Sequence, residues 1–488
     1  MPFLKITGFI FLLISLLASF IFAAFIPLPL AVLAIFRLLI ALAIISVYMK
    51  NVFLPSRFFI AFAGVILAFI FSFFFEKVAF LAETALATFG GLLAFEFFFL
   101  FNGLIKLQAK RILPKFLSLG DENNIKIQIS HQFVFPLSIE IIDELPVQFQ
   151  KRDFAIRLNL ARREDKLISY PLQPLNRGEY HFNDLHCFVR SFLGLIERRI
   201  TFDNQQVAPV YPSVVQMKKY ELMTLSKIAS MRGVKKVRRI GHSYEFEQIR
   251  NYVKGDDFRS VNWKATSRRN SLMVNQYEDE RSQQIFCVID KGRSMEMPFG
   301  GMSLLDYAVN ASLVILNIAL QKHDKAGLLT FSDKIGATVK AESGPAHLKT
   351  ILETLYKEQS RNYEANYELF YAATKQFVSR RSLMFLYTNF ESYSSMQRVL
   401  PILRKISRFH LLVVVFFENT EILDFARTPA LNTEDIYYRT IANRFVAEKQ
   451  RIVQELNQLG IQAILSRPED LSLNTVNKYL ELKAKSAI

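Results

Sequence analysis

Cysteine and tryptophan are scarce, and so are acidic residues relative to basic ones. Two cysteines stand in 488 residues, Cys187 and Cys287, each inside an apolar run. Two scattered thiols do not make a disulfide framework; buried, reduced thiols are expected, in keeping with a reducing compartment. Neither a glycine-rich phosphate loop nor a Ser–His–Asp set is recognisable, so the usual sequence grounds for a nucleotide site or a serine hydrolase are missing. His242 stands alone and reads as a hydrogen-bonded structural residue rather than a general base. Asp and Glu number 44 against 60 Lys and Arg, a formal charge of +16. Basic residues beside an apolar region set topology and meet lipid more often than they bind DNA, so nucleic acid is not an expected partner.

What is plentiful is apolar sequence, nearly all of the excess lying before Lys106. Runs over 3–26, 30–49, 58–75 and 80–105 are each long enough for the hydrocarbon core, with breaks at Pro27–Pro29 and at Glu76-Lys77. Four retained helices are expected, with two as the fallback. A signal peptide is the alternative for the first run, but that run is long and another follows at once. With four spans, Lys5, Lys50, Arg57, Lys106, Lys110, Arg111 and Lys115 fall on one side, which the positive-inside rule places in the cytoplasm. Everything from Lys106 onward is then cytoplasmic. Arg37 and Glu96 sit about 18 and 14 Å from the inner ends of their helices at 1.5 Å per residue. An interhelical ion pair is the expected reading of the two.

Residues 116–210 change character. IKIQIS, LSIEII, FAIRLNL, LISYPL, YHFNDLHCFV and ERRITF alternate with period two between turn residues, which predicts a small antiparallel sandwich. Ile125, Ile127 and Ile129 would face in, and Lys126, Gln128 and Ser130 out. No His, Cys or carboxylate cluster there has ligand spacing, so a spacer or binding module is expected.

A linker and signature segment spans 211–282. Its centre holds the one Trp of the chain, Trp263, amid Asp256, Asp257, Arg259, Lys264 and Arg268, charges of alternating sign. Gly255 supplies a turn conformation open to few residues, and the Asp side chains can cap nearby amides. The bland reading is a salt-bridged surface anchored by Trp263. The functional one is a recognition patch for a peptide or acidic partner, since Trp and Arg commonly dominate such contacts.

From 283 to 488 continuous apolar strands (QIFCVID, AGLLTF, SLMFLYT, HLLVVVFF, IQAILS) alternate with amphipathic helices. That order predicts a mostly parallel sheet covered on both faces, with IGATVKA at an edge. Ligands of such sheets sit at the carboxyl ends of strands, here Asp290–Ser294 and Thr388-Asn389.

Tyr252, Gly255-Asp256-Asp257, Arg259, Asn262-Trp263-Lys264, Arg268 and Asp290-Lys291-Gly292-Arg293-Ser294-Met295 carry a resemblance. So do Asp324 with Gly327–Asp333, Arg177–Tyr180 and Phe192–Leu195. Together they resemble the bacterial domain-of-unknown-function family 58, whose α/β part is similar to a von Willebrand factor A domain. The resemblance implies a multi-domain membrane protein of N-terminal helices, β-sandwich and von Willebrand factor A-like domain, anchored in the bacterial inner membrane. It implies a protein-binding adaptor or scaffold without enzymatic activity, partnered with a MoxR-type AAA+ ATPase in a chaperone-like or envelope-related process. Partner-binding residues would be Arg250, Gly255, Asp256, Asp257, Arg259, Trp263, Lys264 and Arg268. Such domains often hold Mg²⁺ through an Asp-x-Ser-x-Ser loop with a distant Thr and Asp. Here Asp290 and Ser294 remain, Gly292 replaces one hydroxyl, Asn389 replaces the distant Asp, and Asn366 is the nearest candidate for the Thr. The metal site therefore reads as degenerate, and no cofactor is expected. Two rivals stay open: a metal-dependent hydrolase using Asp256, Asp257 and Glu278–Glu280, and an outward-facing adhesion protein.

Overall fold

The computed structural model describes residues 51–101, 107–133, 135–231, 245–278, 282–429 and 432–485. The expected spans 3–26 and 30–49, with Arg37, lie outside the described residues, as do His242 and residues 279–281. The chain divides into two compact units. One joins the apolar helices to most of the β-patterned region; the other takes Ser118–Asp121, Pro174–Gly178 and everything from Val210 onward.

In the first unit the third and fourth expected spans are the helices Ser56–Phe74 and Glu76–Phe101. Among the described residues, two helices are long and apolar enough to cross a membrane, Ala79–Phe101 and Leu304–Gln321, and Ser56–Ser72 is a shorter apolar helix. They differ in surroundings. Leu304–Gln321 is mostly buried. The helix pair instead exposes Phe59, Ile60, Phe71, Phe80, Leu81 and Phe98, an apolar surface that water does not favour.

Residues 51–55 are more than a loop between spans. Val52–Phe53 pairs antiparallel with Glu197–Arg198, adding a strand to a sheet that continues through Leu185–Arg190, Leu137–Asp143 and Ala155–Leu160. A second antiparallel sheet joins Leu107–Ile112, Asn123–His131 and Asp165–Leu172. Ile125, Ile127 and Ile129 are buried while Lys126 and Gln128 are exposed, as the alternation requires. Two boundaries need correction. The β region begins at Leu107 rather than 116, and YHFNDLHCFV is two strands, Gly178–Phe182 and Leu185–Arg190.

Arg111 also changes meaning. Grouped by sequence with the topology-setting surface cations, it is fully buried, because strand alternation turns it inward beside exposed Lys110. Its guanidinium donates to both oxygens of Asp143 and to the carbonyls of Asn183 and Asn204. The Tyr170 hydroxyl donates to the same carboxylate.

Glu96 is 1% exposed. Its Oε1 accepts from Ser191 Oγ and, at 3.0 Å, from the Gly194 amide. Its Oε2 accepts from the amides of Leu195 and Ile196 at 2.9 and 3.1 Å. The carboxylate expected to pair with Arg37 is thus taken up by a turn of the β region. Gly194 there has φ +67°, and a Cβ on it would lie 3.2 Å from the Arg57 guanidinium.

Elements of the second unit are numbered from its first helix. In order they are α1 (Val214–Met231), β1 (Glu245–Asn251), α2 (Trp263–Arg269), β2 (Met273–Glu278), β3 (Gln284–Asp290), α3 (Leu304–Gln321), β4 (Lys325–Phe331) and β5 (Ile335–Glu342). There follow α4 (Pro345–Lys357), α5 (Tyr367–Phe377), β6 (Leu383–Tyr387), α6 (Tyr393–Ser407), β7 (Leu411–Phe417), α7 (Thr420–Arg427), α8 (Thr433–Gln458), β8 (Gln462–Ser466) and α9 (Leu471–Ala484).

The sheet runs β5-β4-β3-β6-β7-β8, parallel throughout except for the antiparallel edge strand β5. Apolar strand residues of opposite parity feed two cores. Ile285, Cys287 and Ile289 pack with α3, α4 and α9 on one face. Phe286 and Val288 pack with α5, α6 and α8 on the other. Strand order reverses between β3 and β6, and sheets of this kind bind ligands at the carboxyl ends beside such a reversal.

Candidate functional site

Asp290 ends β3 and Thr388 follows β6, so both stand at that reversal. Thr388 Oγ1 donates to Asp290 Oδ2 at 2.8 Å. Tyr367, at the start of α5, reaches the same oxygen at 3.4 Å and Thr388 Oγ1 at 2.7 Å. Asp290 Oδ1 accepts from the Gly292 amide at 2.7 Å. Burial pushes the Asp290 carboxyl up to about 6 despite these donors. Asn389 Nδ2 donates to the Ser294 carbonyl at 3.3 Å, and Lys449 of α8 donates to Asn389 Oδ1 at 3.0 Å and to the Phe390 carbonyl. Burial lowers the Lys449 ammonium to about 8. The structure therefore brings Asp290, Ser294 and Asn389 into one network. It includes Thr388, expected at the end of its strand, and adds Tyr367 and Lys449, which no local spacing in the sequence marks.

This donor set does not fit a divalent cation, which would require an octahedron of oxygens with open lone pairs. Both Asp290 oxygens already accept hydrogen bonds, and Asn389 presents its amide NH₂ to the Ser294 loop. A Cβ at Gly292 would lie 3.0 Å from both Asp290 Oδ1 and the Tyr363 carbonyl, so a serine there has no free room. Asn366 instead caps α5, accepting from the amides of Glu368 and Leu369. Among the described residues, no group of three or more His, Cys, Asp or Glu could hold a metal ion.

The signature segment folds as a hairpin. β1 and β2 pair antiparallel; Arg250 lies in β1, and the connection between the strands holds Gly255, Asp256, Asp257, Arg259, Trp263, Lys264 and Arg268. Arg250 donates two bonds to Asp256, at 2.7 and 2.6 Å, and Asp256 also accepts from the Val253 amide at 2.9 Å. Those bonds hold the Asp256 carboxyl below the usual carboxylate range. Gly255 has φ +112°, which explains a glycine there. Asp257 caps the next turn through the Arg259 amide, and Asn262 caps α2 through the Ala265 amide.

With the acidic groups used internally, the rest point outward. Trp263 is 64% exposed and Phe258 and Val253 are 61% exposed. Lys264, Arg268 and Arg259 are exposed. None of these three cations makes an ion pair with another described residue, unlike Arg250 with Asp256. Arg177, another quoted residue, serves packing: its guanidinium pairs with Asp306 at 2.7 Å and donates to the Leu355 carbonyl. The Glu278 side chain and residues 279–280, invoked for a hydrolase, lie outside the described residues.

Residues 248–421, from β1 to α7, match the family model "Protein of unknown function DUF58". The match supports a DUF58 assignment for this stretch. So does the "Uncharacterized protein YeaD" of Bacillus subtilis (strain 168), 28% identical over 259 residues. That alignment covers 52% of this chain and 62% of the relative, so the chain spans under two thirds of its length. Among solved structures, the CARDB domain of a Pyrococcus furiosus protein matches 22% of this chain and 93% of its own, at 10% identity and TM-score 0.16. Proximal thread matrix protein 1 from the mussel byssus matches 42% and 45%, at 14% identity and TM-score 0.24. Scores this low carry no argument about fold or function.

Proposed function

We propose that this chain is a membrane-anchored, cytoplasm-facing adaptor that binds a protein partner through the DUF58 hairpin and performs no chemistry of its own. The observation that carries this reading is Trp263, exposed among Arg259, Lys264 and Arg268 while the nearby acidic residues are consumed in shaping the turn. An exposed Trp close in sequence to exposed cations without ion-pair partners among the described residues is the composition of an interface hot spot. The α/β sheet, with its strand order and antiparallel edge, is in keeping with a von Willebrand factor A-like domain. The apolar exposed helix pair and the basic loops favour a multi-pass anchor in the bacterial inner membrane. By the family resemblance, the partner is a MoxR-type AAA+ ATPase.

Crosslinking and affinity capture of tagged full-length protein from membranes, with and without ATP and Mg²⁺, tests this directly. The reading expects an AAA+ ATPase to be enriched. Recovery of only extracellular or unrelated metabolic proteins would overturn it.

A further inference from the structure

We infer that the Lys449 ammonium is the resident cation at the carboxyl edge of the sheet, joining by hydrogen bonds the loops that a divalent ion would join by coordination. Three observations lead there. First, Lys449 reaches this edge from α8, 60 residues beyond Asn389, and is partly buried when it arrives. A buried ammonium is costly unless its N–H groups are satisfied. Two oxygens accept from it, Asn389 Oδ1 and the Phe390 carbonyl, and the Phe416 ring lies 5.8 Å from Nζ.

Second, position 389 uses both ends of an amide. Its oxygen accepts from Lys449 and its NH₂ donates to the Ser294 carbonyl. An aspartate has no N–H to donate and would set a carboxylate oxygen against that carbonyl. Asparagine suits this network and would be the poorer choice for a metal.

Third, the lysine, the amide and the carboxylate tie the same segments together. Lys449 holds Asn389, Asn389 holds the loop at Ser294, and Thr388 beside it holds Asp290 at the start of that loop. Helix α8, the turn after β6 and the turn after β3 are thereby closed with a tethered positive charge. Both Asp290 oxygens already accept hydrogen bonds, and position 292 has no side chain to offer a second cation.

Thermal melting of the full chain in nanodiscs tests this, in millimolar MnCl₂, MgCl₂ or EDTA, for the natural protein and for Lys449→Met. A ligand that binds only the folded state raises the midpoint. The inference expects the natural protein to melt at one temperature in all three solutions and Lys449→Met to melt several degrees lower. A midpoint raised by Mn²⁺ and lowered by EDTA would overturn it, as would Lys449→Met melting with the natural protein. Should that variant fail to fold, the metal series on the natural chain decides alone. Neither result depends on whether a partner is captured.

Discussion

Arg250 grips Asp256, six positions on, with two parallel hydrogen bonds of 2.7 and 2.6 Å. This fork fixes the neck of the hairpin whose far side presents Trp263. Arg250→Ala should therefore loosen residues 251–262 without unfolding the α/β sheet. Hydrogen exchange would rise at Val253, whose amide is held by Asp256, and stay unchanged in β3 and β6. Because the Asp256 carboxyl is held below its ordinary range, the fork is fully formed above that range. It is lost only as pH falls through the lowered value. Exchange at Val253 measured at pH 7 and pH 5, corrected for intrinsic rates, should give the same protection.

Asp290 runs the other way. Its folded-state value near 6 lies above its ordinary value, so the fold holds the proton more tightly than the unfolded chain does. The stability this adds is complete below the ordinary carboxylate range and is lost as pH rises through about 6. Asp290→Asn keeps the shape and removes the charge. It should raise the melting temperature at pH 8, with a limit of about 3 kcal/mol for a shift of about two units, and make little difference at pH 4.5. Equal effects at both pH values would show that burial of the charge is not the cause.

Glu96 satisfies three backbone amides and one hydroxyl in the turn Ser191–Ile196. Glu96→Ala strands those donors, and each orphaned buried group costs about 1–3 kcal/mol. Limited proteolysis should then cut between Ser191 and Ile196, where the natural protein resists. An unchanged digestion pattern would remove the carboxylate from its structural role.

Both native thiols are free and buried, and burial pushes each up to about 12. Neither should react with a maleimide until the chain is unfolded, which leaves a clean background for an introduced probe. Ser267→Cys places one on the exposed face of α2. In intact cells a membrane-impermeant maleimide should miss it, and permeabilisation should admit it. Labelling of intact cells would place the hairpin outside and favour the adhesion reading.

Strand and helix order in the α/β half was legible because the central strands are buried on both faces and most helices have one apolar side. Those patterns are local. The strand Leu107–Ile112 was not legible: Lys110 and Arg111 are adjacent cations, and only the sheet decides that one faces water and the other Asp143. Helices α7 and α9 are hard to read from the sequence for a similar reason. They are short or mixed in composition, and α9 owes its place to distant partners, Tyr479 and Lys483 both meeting Asp324. At the candidate sites, Asp290, Trp263 and the Gly255–Asp257 turn announce themselves through neighbours in sequence. Tyr367 and Lys449 do not, because their partners lie 77 and 60 residues away.

The most direct measurement is a comparison of partner capture by the natural protein and by the Trp263→Ala and Arg259→Ala variants. All three should be expressed at equal level and crosslinked in membranes with ATP and Mg²⁺. Both side chains point outward, so melting temperatures should stay within a degree or so of one another, as for most surface substitutions. The account predicts an AAA+ ATPase recovered with the natural chain and reduced at least tenfold in each variant, the loss of one interface hot spot. Equal recovery by all three proteins would contradict it.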